Sequence, residues 1–343
     1  MQRPYFVLIV LALFIACSRQ PSQLKAVNLY LWSAYASPAV FKEFESRTGI
    51  RVQYDTYDSN QTLLEKLRSG ATEYDVICPT NWLINTLVKL NLAENLDRTR
   101  LPNLANIQPQ FRDPSYDPGN AHSIPFVWGT SGIGYNKAKV RGPVDSWGVL
   151  WDQRYAGRIS MLDGGGDAFV AALKWKGHSI NSNRPQELEE AYQLLLRQKS
   201  LVKVYNSSNF DEILLSGDVW IAYGWSGQLA KAAEQTPDIA YVVPKEGSMV
   251  WMDTLVIPRD APHKDSAYRF LNFVLEGKIA AEITNFTGYA NANSAATPYV
   301  KPEYLKNPAR YPDAATLGRC EWSIDQPEVD RLKDRYWTQI RSN

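Results

Sequence analysis

The chain has 343 residues, of which 45% are hydrophobic and 21% are charged, and this is the composition of a globular protein long enough for two domains of ordinary size. Its formal net charge of +1 gives no reason to expect a nucleic acid partner. The three histidines lie far apart and lack the spacing to a cysteine that zinc ligands show, so we expect neither a metal site nor histidine-based catalysis. The 11 tryptophans and 19 tyrosines exceed what packing usually needs and favour flat, amphipathic contact surfaces.

The N-terminal segment has the pattern of an export signal. Arg3 supplies a positive charge, residues 5–16 form an apolar stretch of 12 residues, and Cys17 follows directly. This stretch is too short to span a bilayer and is typical of a signal peptide covering residues 1–17. Residues 14–17 form a relaxed lipobox, with phenylalanine where leucine is usual, so we expect Cys17 to be lipidated and residues 18–26 to form a polar tether. The alternative is ordinary secretion with cleavage nearby, and both interpretations predict an exported protein.

The first part of the mature chain alternates between strand and helix patterns. The predicted elements are a strand at 27–32, a helix at 38–48, a strand at 50–54, a helix at 61–69, a strand at 74–78 and a helix at 82–90. This order with short connections predicts a parallel sheet. Ligands of such sheets bind beyond the carboxyl ends of strands, where residues 32–35 and 80–82 fall. Cys78 is expected to be an inert core thiol, although a disulfide with Cys320 stays open.

A second alternating block covers residues 146–244. Its predicted elements are strands at 159–162, 202–205 and 219–223 and helices at 168–176 and 187–198, with loops 163–167 and 224–228 at strand ends. Before this block, three glycines divide residues 123–136 into two strand-like pieces, which predicts a crossover between two lobes. The glycines do not open a helix with dinucleotide or P-loop spacing, so we expect no phosphate site.

Residues 242–258 hold the strongest candidate for a ligand contact. Two short apolar runs each end at a proline, and Trp251 and Asp253 lie between them. An acid beside a large aromatic side chain suits a cation whose charge pairs with the acid and whose hydrocarbon stem stacks on the ring. The alternative is that Asp253 caps a turn and Trp251 belongs to the core. Helices predicted at 265–275, 278–286 and 328–340 complete the chain.

A set of motifs along the chain resembles the spermidine/putrescine-binding proteins of bacterial ABC importers. In order, the motifs are LYLWSAYASP, TGIRVQYDTYDSN, YDVICPTNW, SIPFVWGTSGIGYN, DGGGD, IAYGWSG, VVPKEGSMVWMDTLVIP and GYANANSAATP. The resemblance covers the chain from about residue 27 onward. It implies an α/β, type II periplasmic-binding-protein fold with a ligand cleft between two lobes. Lobe 1 would comprise 27–129 and 253–297, and lobe 2 would comprise 130–252 and 298–343.

The same resemblance implies a ligand site in the cleft. Its aromatic box would be Trp32, Tyr35, Trp82, Trp225, Trp251 and Tyr289, with polar contacts from Ser33, Thr80, Gln228 and Ser323 and ammonium partners in Asp253 and Asp167, the latter standing where the family usually has glutamate. Three positions depart from the family: Ala34 and Gln228 stand where relatives have an acid, and Gly164 replaces an aspartate for which Asp163 is a candidate substitute. Each lost carboxylate removes a charge-assisted bond worth about 1.5–3 kcal/mol, so we expect a ligand with fewer ammonium groups or weaker binding.

The resemblance further implies a monomer without cofactor or metal that closes around a polyamine and delivers it to a membrane permease. It predicts a periplasmic protein, membrane-anchored as a lipoprotein, that is not an enzyme. Two alternative functions belong to other functional classes. A same-fold binder of another small solute, such as an amino acid, would need an arginine for the carboxylate, and the cleft-loop segments contain none. A secreted hydrolase using Asp163 and Asp167 lacks a catalytic triad, a nucleophile elbow and metal spacing.

Overall fold

The computed structural model describes residues 25–70 and 73–342. The predicted signal peptide, the lipidated Cys17 and most of the predicted tether therefore lie outside the described residues. Within the described part of the chain, no helix combines the length and the apolar character needed to cross a membrane.

Strands and helices alternate along most of the described chain. The strands are β1 (Ala26–Trp32), β2 (Arg51–Tyr57), β3 (Val76–Ile77), β4 (Ile124–Asn136), β5 (Ile159–Met161), β6 (Val202–Tyr205), β7 (Ile221–Trp225), β8 (Ile239–Val242), β9 (Met249–Leu255), β10 (Ala290–Asn291) and β11 (Glu321–Trp322). The helices are α1 (Pro38–Thr48), α2 (Asn60–Arg68), α3 (Asn81–Lys89), α4 (Gly165–Trp175), α5 (Pro185–Gln198), α6 (Phe210–Leu215), α7 (Ser226–Gln235), α8 (Lys264–Val274), α9 (Gly277–Thr287), α10 (Pro302–Leu305), α11 (Ala314–Leu317) and α12 (Pro327–Ser342). Each element predicted from the sequence has a counterpart, whereas several elements, among them α6, α7, α10 and α11, were not predicted.

The first sheet confirms the parallel arrangement that the strand–helix–strand order predicts. Strand β1 lies between β2 and β3 and pairs in parallel with both. Helix α1 buries Val40, Phe41 and Phe44 on one face, and Gly49 ends it in the left-handed conformation with a φ of +68°. Because the strands run in the same direction, the segments that follow β1, β2 and β3 emerge at one edge of the sheet.

The second sheet is built around β4, which is one continuous strand rather than two pieces. Its first half pairs antiparallel with β9, and its second half pairs antiparallel with β7 and β8. The glycines do not interrupt the strand, because they make room for side chains that cross it. A Cβ on Gly129 would stand 2.8 Å from the Trp251 ring, and one on Gly134 would stand 2.4 Å from Leu229 Cδ2. Strands β5 and β6 extend this sheet beyond β7.

Two large hydrophobic cores lie in different parts of the described chain. One contains side chains of β1, α1, β9 and α8, and the other contains side chains of β5, α6 and β7. Trp225 packs against both cores, so it lies where the two halves meet. The division into two lobes at the sequence positions given above stays a prediction. Val300 and Tyr304, which that division assigns to lobe 2, pack with Ala280 and Ala281 of α9.

Helix α12 returns across the outside of α4 and α5. The ring of Tyr336 stacks on that of Tyr192, with 4.4 Å between the centroids, and Ile340 is fully buried among side chains of these helices. Lys199 donates hydrogen bonds to the carbonyl oxygens of Ile340 and Arg341 at 2.8 and 3.2 Å. These contacts hold the C-terminal half of α12 against α4 and α5.

Candidate functional site

A cavity of about 410 Å³ lies between the segments that follow the strands of the two sheets. All thirteen residues predicted for the ligand site line it: Trp32, Ser33, Tyr35, Thr80, Trp82, Asp163, Asp167, Trp225, Gln228, Trp251, Asp253, Tyr289 and Ser323. The described structure thus brings together side chains that are up to 291 positions apart in the sequence, from Trp32 to Ser323. Their role as ligand contacts stays a prediction.

Asp253 is the most enclosed carboxylate of this cavity. It lies in β9 with only 5% of its surface exposed, so it does not cap a turn. Its Oδ1 accepts a hydrogen bond from Thr80 Oγ1 at 2.7 Å, and its Oδ2 accepts one from the Tyr35 hydroxyl. Burial raises the pKa of Asp253 to about 7, although these two hydrogen bonds oppose the shift. A cation placed beside this carboxylate would replace the lost hydration and favour the ionised form.

Asn60, at the start of α2, holds the Asp253 partner Thr80 in place. Asn60 Nδ2 donates to Thr80 Oγ1 at 3.0 Å, and the Thr80 amide donates to Asn60 Oδ1 at 3.1 Å. Burial and the nearby Asp253 charge raise the pKa of the Tyr35 hydroxyl, which therefore remains a donor at neutral pH. The protein's own side chains form this network, so they orient the Asp253 carboxylate without a contribution from the ligand.

Aromatic rings surround the carboxylate. The Trp251 and Tyr289 rings meet edge to face with 5.0 Å between centroids, and Tyr35 meets Tyr289 in the same way at 6.0 Å. Trp251 is both a core residue and a cavity residue, because it belongs to the first hydrophobic core and lines the cavity. Trp225, whose ring packs on Phe210 at 5.6 Å, remains partly exposed on the opposite side. Such surfaces suit an aliphatic chain or a cation.

The other end of the cavity is formed by the first turn of α4. Asp167 is half-buried there, and burial raises its pKa to about 6 while Lys333 opposes the shift. Asp163 is more exposed, and its carboxylate accepts a hydrogen bond from Trp337 Nε1 at 3.3 Å and lies 3.8 Å from Arg341. Asp163 is therefore already partly neutralised by α12.

Gln228 and Ser323 form hydrogen bonds with residues of neighbouring segments. Gln228 accepts a hydrogen bond from the Tyr289 hydroxyl at 3.2 Å, and its amide donates to the Ser208 carbonyl at 3.5 Å. The Ser323 carbonyl accepts a hydrogen bond from Asn81 Nδ2 at 3.1 Å, which joins the segment before α12 to the start of α3.

Sequence reasoning missed two groups of cavity residues. The first lies between the end of β2 and the start of α2 and includes Tyr57, Asp58 and Asn60. Strand β2 continues to Tyr57 rather than ending at Tyr54. Most of its residues are exposed, so the sequence has no apolar pattern that would predict the last residues of the strand. The second group is Asp330, Lys333 and Asp334 of α12. No local pattern in α12 could show which of its polar residues face the cavity.

The comparison with known proteins places the chain in a family. Residues 39–312 match the model of the bacterial extracellular solute-binding protein family, and the chain belongs to this family. The fold is the type II periplasmic-binding-protein fold that the motif resemblance implied. 

Within this family, the chain is similar to proteins that are named for polyamine binding. The chain is 34% identical to the putrescine-binding periplasmic protein PotF of Escherichia coli, across 93% of this chain and 92% of that protein. It is also 34% identical to the putrescine-binding periplasmic protein SpuD of Pseudomonas aeruginosa, across 97% and 96%. The solved structure of a putative spermidine/putrescine ABC transporter from Listeria monocytogenes superposes with a TM-score of 0.89 at 30% identity, covering 92% of this chain and 99% of that one. The predicted resemblance to polyamine-binding proteins is confirmed.

Proposed function

We propose that this protein captures a polyamine, such as putrescine or spermidine, outside the cytoplasm and delivers it to the permease of an ABC importer. The observation that carries the proposal is the buried, pre-oriented carboxylate of Asp253 inside an aromatic enclosure. A primary ammonium group would pair with this carboxylate, and its methylene chain would pack on the Trp251 and Tyr289 rings. The relatives named for putrescine or spermidine binding support the same class of ligand.

The charge of the cavity favours a cationic ligand. Its described lining contains six carboxylates and a single basic side chain, that of Lys333; the carboxylates are Asp58, Asp163, Asp167, Asp253, Asp330 and Asp334. An amino acid would bring a carboxylate into this negative field, and the cavity offers no arginine to hold it with two hydrogen bonds. The relatives are binding proteins rather than enzymes, and the same role for this chain makes the hydrolase alternative unnecessary.

Capture and release follow from two lobes that close around the ligand. Trp32, Thr80 and Asp253 would contact the ligand from lobe 1, while Trp225 and Asp167 would contact it from lobe 2. Closure would remove water from the ion pairs and strengthen them. The protein would act as a periplasmic monomer, anchored by a lipid on Cys17, and would bring the closed lobes to its permease.

Calorimetric titration of the protein without residues 1–25 tests the ligand class. The panel comprises putrescine, cadaverine, spermidine, spermine, lysine, arginine and 4-aminobutyrate at one salt concentration and pH 8. We expect saturable 1:1 binding of at least one polyamine and no comparable binding of the amino acids. Binding of an amino acid in preference to every amine would contradict the proposal and support the other same-fold binder.

The membrane anchor needs a separate test, because ligand binding does not depend on it. Metabolic labelling with radioactive palmitate in a bacterial host should label the full-length protein but not its Cys17→Ser variant. A soluble, unlabelled periplasmic protein would instead indicate ordinary secretion.

A further inference from the structure

Lys333 places a cationic group in a cleft whose proposed ligand is itself a cation. It lies near the middle of α12 with only 7% of its surface exposed, and it lines the cavity. Its Nζ donates a hydrogen bond to the Ile180 carbonyl at 3.3 Å. The backbone there packs closely on α4, because a Cβ on Gly165 would stand 3.0 Å from the Lys333 carbonyl oxygen. The Lys333 backbone is therefore held against α4, and its ammonium group is held by the Ile180 carbonyl.

Three carboxylates line the same cavity as Lys333 and interact with its charge. Asp330 and Asp334 belong to α12, and Asp167 belongs to the first turn of α4. Burial lowers the pKa of Lys333, and the three acids oppose that shift. Burial likewise raises the pKa of Asp167 and that of Asp330 to about 6 each, and Lys333 opposes both shifts. Among the described residues no three acids, histidines or cysteines are grouped as metal ligands would be, so this cluster is not a metal site.

We propose that Lys333 is an internal substitute for a ligand ammonium group and that it makes the cleft prefer diamines to triamines. This inference rests on the proposed function. Without Lys333, the three acids at this end would form an uncompensated negative site that attracts an additional ammonium group. With Lys333 present, part of that charge is already neutralised, and the side chain fills space that a longer amine would enter. A diamine still has Asp253 for one ammonium group and the remaining negative charge near Asp167 for the other.

The test measures dissociation constants of putrescine and spermidine for four proteins by calorimetry at pH 8 and fixed salt. We expect the wild-type protein to bind putrescine more tightly. Lys333→Met should change the ratio of the two affinities in favour of spermidine by about tenfold, because a buried unit charge is removed from one end of the cleft. Lys333→Arg retains the charge and should leave the ratio within about twofold of the wild-type value, since the charge governs the ratio.

Lys199→Met is the matched control, because Lys199 holds the C-terminal end of the same helix without lining the cavity. It should leave the ratio unchanged even where it lowers the melting temperature. The inference is overturned by a wild-type preference for spermidine, by an unchanged ratio in Lys333→Met, or by an equal change in Lys333→Arg. Should Lys333→Met not fold, Asp330→Asn provides the opposite perturbation: it removes an acid next to Lys333 and should disfavour spermidine further, and an unchanged ratio there overturns the inference.

The outcomes also separate this inference from the proposed function. Polyamine binding with a ratio insensitive to Lys333 would leave the function intact and remove the role of Lys333. Absence of polyamine binding in the wild-type protein, together with 4-aminobutyrate binding that Lys333→Met abolishes, would overturn both, because Lys333 would then hold a ligand carboxylate.

Discussion

Replacing Asp253 by asparagine removes the charge of the most enclosed carboxylate in the cleft while keeping its shape. The amide oxygen of an asparagine can still accept the hydrogen bond of Tyr35, and its amide nitrogen can donate to Thr80 Oγ1. Burial disfavours the ionised carboxylate of Asp253 and raises its pKa to about 7. The substitution should therefore not lower the melting temperature of the ligand-free protein at pH 8.

Ligand binding should respond very differently. A hydrogen bond between an ammonium group and a carboxylate contributes about 1.5–3 kcal/mol, so its loss should weaken polyamine binding about ten- to 150-fold. The measurement belongs at pH 8, where Asp253 is mostly ionised. At pH 7 about half of the molecules carry a protonated Asp253, and the wild-type affinity is already reduced by about twofold.

Calorimetric titration and thermal unfolding of the same samples provide the two readouts. Asp55→Asn is the matched control, because the Asp55 carboxylate also accepts a hydrogen bond from a tyrosine hydroxyl, that of Tyr74, but does not line the cavity. The control should bind like the wild-type protein. Unchanged affinity of Asp253→Asn would refute the assignment of Asp253 as an ammonium partner, and parallel losses of affinity and melting temperature would show that its role is structural.

Three further predictions concern the rest of the site. Trp225→Ala should lower polyamine affinity about tenfold through lost apolar contact and stacking while the protein remains folded, and the ligand-induced change in tryptophan fluorescence should become smaller; an unfolded variant would identify Trp225 as a core residue. Polyamine affinity of the wild-type protein should rise with pH and level off above about 7, because Asp253 must lose its proton to pair with the ligand. The stability of the ligand-free protein should show the opposite dependence: because the pKa of Asp253 is raised in the folded state, this group favours folding increasingly as pH falls from about 7 toward the pKa of the unfolded chain. Titrations in buffers of different ionisation enthalpy would detect the released proton, and a flat affinity profile between pH 5.5 and 8 would contradict the coupling. The double variant Ala34→Asp, Gln228→Asp should raise putrescine affinity more than spermidine affinity, and equal changes in both dissociation constants would show that these positions act only through the general field of the cleft.

The strand-end residues of the site were predictable because two kinds of evidence coincide there. The sequence shows each buried strand as an apolar run. Aromatic and polar residues at the end of the run interrupt the apolar pattern, which marks them as candidates for the site. Trp32 is the last residue of β1, and Thr80 follows β3. The parallel order of the strands then places these ends together. Ordered motifs supplied other members, such as Tyr289, which no local pattern would have selected.

The missed residues lie on elements whose sequences do not show what they contact. Strand β2 is mostly exposed, so its apolar pattern ends before the strand does and Asp58 was not connected with a strand end. Asp163 was predicted as a substitute acid for the ligand, but its contacts with Trp337 and Arg341 depend on where α12 docks. Periodicity identifies which side of α12 is apolar, whereas the stacking of Tyr336 on Tyr192 determines which polar side chains reach the cavity.

The cavity residues predicted from the sequence and those of α12 should therefore affect binding in different ways. Strand β9 supplies the enclosed carboxylate of Asp253 and the Trp251 ring, and the segment before β10 supplies the Tyr289 ring. We expect these groups together to bind an aliphatic ammonium group of any length. Helix α12 adds charges of both signs to the same cavity, those of Asp330 and Lys333, and we expect these charges to decide how many ammonium groups the cleft accepts. A chain can then keep all the strand-end motifs and still change its preferred amine through one substitution on α12. Selectivity among polyamines is thus expected to depend on a helix that carries none of the motifs by which the ligand class is recognised.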